Sequence, residues 1–422
     1  MRRALIRLVG ILGAIAGGAC GRPLENEPTQ AARDPVASPA TTPLALVGVR
    51  VVPMTSNVVL VDQTIIVRDG VVTALGPSAA TPVPAGATVV TAGGRYVMPA
   101  LIDMHVHLSS ADLDAYVNAG IGTVRNMWGF ASIATMQRDI EAGARVGPTI
   151  ISASPGLDGP PTQWPGTLLI TDAREARALV RAQADAGWPY LKVYTRLTPE
   201  VFDSVMVAAR SFGITPIGHV PFEVDVLHAM DAGMKSIEHF TGYDRVVSRT
   251  RRAGTWGWAD ADPSRFASLV EATVRAGVWN CPTLAIFDEL AKQHTAAERA
   301  AIVRNRGLFV RELSRAGARI LLGTDAGIDV VAPGESVHDE LREMVAAGLT
   351  PFDALRAGTT SAAEFLGRPD LGRVAVGARA DLLLLEGNPL ADVANAHRMD
   401  GVVLRGAWRP ASRGAVATRD LR

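Results

Sequence analysis

The chain has two cysteines in 422 residues, Cys20 and Cys281. So few exclude a small scaffold stapled by disulfides, and a chain this long buries a sizeable core without them. It has no excess charge of either sign, since lysine plus arginine (42) equals aspartate plus glutamate (42). That balance excludes the long-range field that gathers nucleic acid or an acidic membrane surface. Small molecules are left as the expected partners, with no nucleic acid among them. A convincing membrane span is lacking too: the apolar stretch within residues 1–20 is short and glycine-rich, below the length that crosses a bilayer.

That stretch reads differently. MRRALIRLVGILGAIAGGAC places Arg2, Arg3 and Arg7 before an apolar run and small residues, which predicts an export signal that the mature protein loses. Cys20 after small residues resembles a bacterial lipobox, whose cysteine becomes a lipidated N-terminus, although Gly17 stands where a large aliphatic residue is usual. The expected location is therefore exported: periplasmic, or tethered to a membrane through Cys20. With Cys20 cleaved off or acylated no internal disulfide can form, and Cys281 in VWNCPTL is expected to be a buried core thiol.

Residues 21–43, rich in Pro, Ala, Thr and Glu, cannot bury enough surface to fold and read as a tether. From 44 to 97, short β-branched runs broken by Gly, Pro and Asp-Gly turns predict antiparallel strands. ADLLLLEG and MDGVVLRGAW supply matching strands within 372–412. One small β-sandwich built from both chain ends is expected, with a larger domain (98–371) inserted and a tail at 413–422. Across the insert, helical stretches close at Ala119-Gly120, Ala186-Gly187, Phe212-Gly213, Ala232-Gly233, Ala276-Gly277 and Ala316-Gly317, each followed by a short apolar strand. Glycine there suits the left-handed residue that ends a helix. With the opening VMPALIDMHVH, the strands GTVRNM, PTIISAS, PYLKVYT, TPIGHV, KSIEH, VWNCPTL and RILLGTD make eight, alternating with helices. The expected fold class is α/β, a (β/α)8 TIM barrel, whose chemistry sits where the strands end.

Polar residues gather at those ends. His105 and His107 are two apart, so on a strand they share a face, as does Asp103. His219 closes TPIGHV, His239 closes KSIEH and Asp325 closes RILLGTD. Imidazole and carboxylate together suit zinc or a similar first-row metal. In PYLKVYT, Tyr190, Lys192 and Tyr194 alternate with Leu191 and Val193. The apolar pair must face the helices, which turns Lys192 into the barrel. An ammonium beside two cations should lose its proton, and the neutral amine can add carbon dioxide to give a carbamate that bridges two metals. The alternative is a lysine whose stem packs while its head reaches water.

His-x-His on the first strand, lysine on the fourth, histidines on the fifth and sixth and aspartate on the eighth resemble the amidohydrolase superfamily, over nearly all of residues 44–412. ALIDMHVHL, SIEHF, LLGTDAG and VGARADLLLLEGNPL are similar to its imidazolonepropionase-like and prolidase-like branch, of Xaa-Pro dipeptidase type. The resemblance implies that His105, His107 and Asp325 hold one divalent metal and His219 and His239 a second, with carboxylated Lys192 between them. Two departures stand out: Ala100 replaces a usual glycine, and Asn126 a frequent aspartate.

Two metals sharing a water generate hydroxide at neutral pH, and Asp325 can pass its proton to the leaving amine. Tyr194 is either a donor to the developing oxyanion or a wall tyrosine with its hydroxyl in solvent. His338 in GESVHDEL, beside a capping box of Ser336 and Asp339, is either a substrate contact or a plain helix-start histidine. Glu238, next to His239, is expected to face the other way as an ion-pair or supporting partner. The expected activity is cleavage of an amide in a dipeptide or N-acyl amino acid. Alternatives are a cyclic amide, a lactone or other ester, and a lipid-anchored binding protein without catalysis. Substrate choice is expected in the loops SPGLDGPPTQWPGTLLITD and TGYDRVVSRTRRAGTWGWADAD. Arg245, Arg249, Arg251 and Arg252 in the second read as a solvated run rather than a carboxylate reader.

Overall fold

A computed structural model describes residues 42–411 and 418–420. The export signal, Cys20, nearly all of the tether and most of the tail lie outside the described residues. Among the described residues no helix is long and apolar enough to cross a membrane.

Strands β1 (Leu44–Val51), β2 (Leu60–Arg68), β3 (Val71–Pro77), β4 (Thr88–Thr91) and β5 (Tyr96–Pro99) come from the N-terminal part. Then follow β6 (Leu101–Val106), β7 (Ile121–Asn126), β8 (Thr149–Ser152), β9 (Leu157–Asp158), β10 (Leu168–Leu169), β11 (Tyr190–Val193), β12 (Thr215–Gly218), β13 (Ser236–Glu238), β14 (Trp279–Cys281) and β15 (Arg319–Ile320). The chain finishes with β16 (Leu382–Leu385), β17 (Met399–Leu404), β18 (Ala407–Pro410) and β19 (Thr418–Asp420).

Both chain ends enter one sheet, in the order β18-β17-β16-β5-β1-β2-β3, with β4 branching from β1 and β19 pairing with β4. The joint is antiparallel, Leu382 opposite Pro99 and Leu385 opposite Tyr96. Alternate residues bury together, Leu44 and Leu46 with Val97, Leu382 and Leu384, as the two-residue period of a strand demands, and a register shift in β1 brings Val49 to the same cluster.

The apolar run expected to be one opening strand is divided. Its first half, β5, belongs to this sheet, and its second half, β6, pairs in parallel with β7. Ala100 at the break fits because Gly122 lies opposite: a Cβ on Gly122 would come within 2.9 Å of the Ala100 methyl. Packing therefore accounts for the first departure from the family pattern.

The central strands are parallel and form sheets β6-β7-β8 and β10-β9-β11-β12-β13-β14-β15. Single parallel bridges link the two sheets, Ala153 after β8 to Tyr190 in β11 and Val106 in β6 to Ala326 beyond β15. Ile102, Met104, Tyr190, Ile217, Trp279 and Phe365 pack in one cluster, whereas Leu101, Val124, Leu191, Val193 and Ile237 pack in another with the helices. The alternation read in PYLKVYT thus holds. All the closing glycines, Gly120, Gly187, Gly213, Gly233, Gly277 and Gly317, have φ between 63° and 97°.

Candidate metal centre

Six polar side chains, at or just beyond the ends of β6, β11, β12, β13 and β15, face one space. His105 and His107 each place Nε2 3.1 Å from Asp325 Oδ1, and His239 Nε2 lies 3.8 Å from Asp325 Oδ2. The His105 and His239 ring centres are 4.5 Å apart, and those of His219 and His239 4.9 Å. Lys192 is fully buried, its charge acting on His107, His219 and His239. Ligand atoms of His105, His239 and Asp325 all lie within 4.8 Å of one another.

Two of these residues reach the space through uncommon backbone: His239 and Asp325 both have φ 61°. The bend lets neighbours on β13 converge instead of diverging. Glu238 and His239 were expected to face apart, yet Glu238 Oε2 takes Nδ1 of His105 at 2.8 Å while the His239 ring centre lies 4.5 Å from that of His105. Glu238 also accepts from buried Arg125 at 2.9 Å and from Ser236 at 2.5 Å. It fixes the tautomer of His105 and leaves Nε2 free. Beyond Asp325 the chain passes so close to His107 that a Cβ on Gly327 would lie 1.8 Å from the His107 carbonyl oxygen.

Electrostatics suit a cation. Burial holds His107 below its ordinary range, His219 well below it, and lowers His239 to about 3, so the imidazoles keep their lone pairs. Burial would raise Asp325, but its close contacts with His239, His105 and His107 outweigh it and hold the carboxyl well below the usual range. Burial also brings Lys192 down to about 8. His105 Nε2, His219 Nδ1 and Lys192 Nζ are buried without a hydrogen-bond partner. Buried polar atoms in native proteins have partners, and three such nitrogens around one carboxylate fit a divalent metal. His105, Glu238 and Cys281 also cluster, but Glu238 is already bonded, and burial raises the Cys281 thiol well above its usual value, which keeps it protonated. Cys281 is a buried thiol.

Tyr194 stands beside His219, ring centres 4.4 Å apart, and meets Trp128 edge-on at 5.2 Å. The Trp164 indole donates to its hydroxyl at 2.6 Å, so the hydroxyl faces the segment between β9 and β10. His338 is not brought to the centre. It is buried, donates from Nε2 to the Ala119 carbonyl at 2.9 Å, and lies 4.5 Å from the His397 ring. The expected capping box is absent as well: Glu335 is the N-cap of Ser336–Ala346 with no side-chain bond, and Asp339 pairs with Arg342. Asp103 is a strut that accepts from His105 N and from Thr324 N and Oγ1.

Asn126 is explained by its donors. Its amide nitrogen gives hydrogen bonds to the Trp128 carbonyl and Ser152 Oγ while its oxygen accepts from Leu108 N, a pattern that aspartate cannot supply. Of the arginines in the second long loop, Arg245 donates to the Pro221 and Val224 carbonyls, and Arg249, Arg251 and Arg252 are exposed. Sequence reading missed Arg125, Trp164, Thr283 and Arg306 as contributors, because each acts on a partner distant in the chain.

The amidohydrolase family model matches residues 96–409. Ochratoxinase of Aspergillus niger is 26% identical over 366 residues, covering 70% of this chain and 71% of that protein. Among solved structures, bottromycin amidohydrolase superposes with a TM-score of 0.71 at 25% identity, covering 87% of each chain. A Xaa-Pro dipeptidase with methionine bound in its active site gives a TM-score of 0.69 at 20% identity, covering 87% of this chain and 100% of that one. The last likeness is one of fold.

Proposed function

The chain belongs to the amidohydrolase family, and on that premise we propose an exported, metal-dependent hydrolase that cleaves the amide of a dipeptide or an N-acyl amino acid. Acting on carbon–nitrogen bonds is the coarse part of this reading, supported by the family and by relatives such as ochratoxinase. The bridged parallel strands are read as a closed (β/α)8 barrel, carried beside a β-sandwich drawn from 44–97 and 372–412. Export by residues 1–20, with a periplasmic location or a membrane tether at Cys20, belongs to the same proposal.

The observation that carries it is the convergence of His105, His107, His239 and Asp325, with partnerless nitrogens on His105, His219 and Lys192. In this reading His105, His107 and Asp325 would hold one zinc ion and His219 and His239 a second, with Lys192, as its carbamate, offering a further anionic ligand. Bound there, such metals would supply Lewis acidity toward a water and the scissile carbonyl. Asp325, held ionised, would accept a proton from the attacking water and give it to the leaving amine. Tyr194, whose oxygen accepts from Trp164, keeps its own proton for the substrate oxygen.

The test is a panel of dipeptides, N-acyl amino acids, cyclic amides, lactones and esters, given to full-length protein loaded with zinc and bicarbonate. Turnover of linear amides is expected. An inert protein would contradict catalysis, and turnover confined to lactones or esters would move the substrate while keeping the centre.

A further inference from the structure

The helix Leu284–Ala291 begins at a threonine that does not cap it. Thr283 is its N-cap residue, at φ 49° and ψ 58°, and the side chain makes no bond to the helix. An N-cap threonine ordinarily has an extended backbone and turns its oxygen to the amides two or three residues on. A β-branched residue at positive φ is an outlier, and such strain gathers where function over-determines the backbone. The diverted hydroxyl donates to the Pro282 carbonyl at 2.8 Å and lies 2.7 Å from Nδ1 of His239. With its proton on Pro282, the oxygen can only accept from Nδ1–H, which leaves the Nε2 lone pair toward Asp325.

The surroundings compensate for the lost cap. Glu340, from the helix Ser336–Ala346, accepts from Ala285 N at 2.8 Å, in the place of the missing threonine oxygen. Buried Arg306 donates to the His239 carbonyl at 3.1 Å and to the Pro282 carbonyl. It thereby ties together two strand ends at which His239, Phe240 and Thr283 all have positive φ.

We propose that Thr283 is a positioning residue for the metal centre, its hydroxyl spent on holding His239 as the Nδ1–H tautomer, with Glu340 and Arg306 maintaining the strained junction that allows it. The inference rests on the reading of His239 as a metal ligand. Full-length protein stripped of metal is titrated with zinc against a chelator, for wild type and for Thr283→Val, Thr283→Ser and Thr283→Gly. Loss of a partner that orients a ligating histidine weakens metal binding about 10- to 100-fold. Thr283→Val is expected to show that loss and Thr283→Ser to keep wild-type affinity. Glycine relaxes at positive φ, so Thr283→Gly is expected to keep the metal-free melting temperature while losing affinity, which preserves the test if valine is not tolerated. The absorption bands of cobalt-loaded protein should move in Thr283→Val and Thr283→Gly and not in Thr283→Ser. Wild-type zinc affinity in Thr283→Gly, or equal losses in all three variants, would overturn the proposal alone. A wild-type protein that binds no zinc would overturn it together with the metal reading.

Discussion

Asp325 meets three imidazoles, and its surroundings hold it ionised at neutral pH despite burial. Asp325→Asn keeps the size and removes the base. Melting close to wild type is expected, with kcat/KM lower by about 10²- to 10⁴-fold; near-normal turnover would remove Asp325 from the mechanism. Glu340 is the opposite case. Burial raises its carboxyl from 4.5 to about 8, so between those values the folded chain keeps a proton that the unfolded chain has lost. A raised carboxyl stabilises most below the unfolded pKa, and that contribution disappears as pH rises through the folded one. Wild-type stability relative to Glu340→Gln should therefore decline from about pH 4.5 to about 8. Chemical denaturation at a series of pH values measures it, and a constant difference would refute the assignment. At this scale the convergence of His105, His107, His239 and Asp325 was legible, because a polar residue that ends an apolar alternation has few structural uses. Glu340 and Arg306 were not, since nothing local in the sequence marks a buried titratable group whose partner comes from another strand or helix.

The elements were legible where periodicity alone decides them. The parallel strands and the glycines that close the helices lie where the pattern put them. Junctions were less so: strict alternation sends Glu238 and His239 to opposite faces, and only the left-handed turn at His239 brings both to His105. The strand expected over VMPALIDMHVH serves two sheets, a division that follows from pairing with β16 and β7 rather than from the run itself. Asn126 at the end of β7 gives a test at this scale. Asn126→Asp replaces two donated hydrogen bonds by an oxygen facing the Trp128 carbonyl. Leaving buried groups unpaired costs about 1–3 kcal/mol each. Urea unfolding should show a loss of at least that order, and an unchanged midpoint would mean that the amide bonds carry no weight.

At the scale of the whole molecule, one sheet draws strands from both ends of the chain and frames the parallel strands whose ends carry the centre. Pairing Pro99 with Leu382 requires the intervening chain to return beside its start, which the matching composition of the two ends announces. The long loops are less legible, since a segment such as 154–172 is shaped by contacts like that of Trp164 with Tyr194 rather than by its own pattern. The central claim is a pair of metal ions on this frame, and metal analysis of full-length protein reconstituted with zinc and bicarbonate tests it most directly. The account predicts about two zinc ions per chain, falling in Lys192→Ala with the loss of the bridge; a wild-type value near one or zero would contradict it.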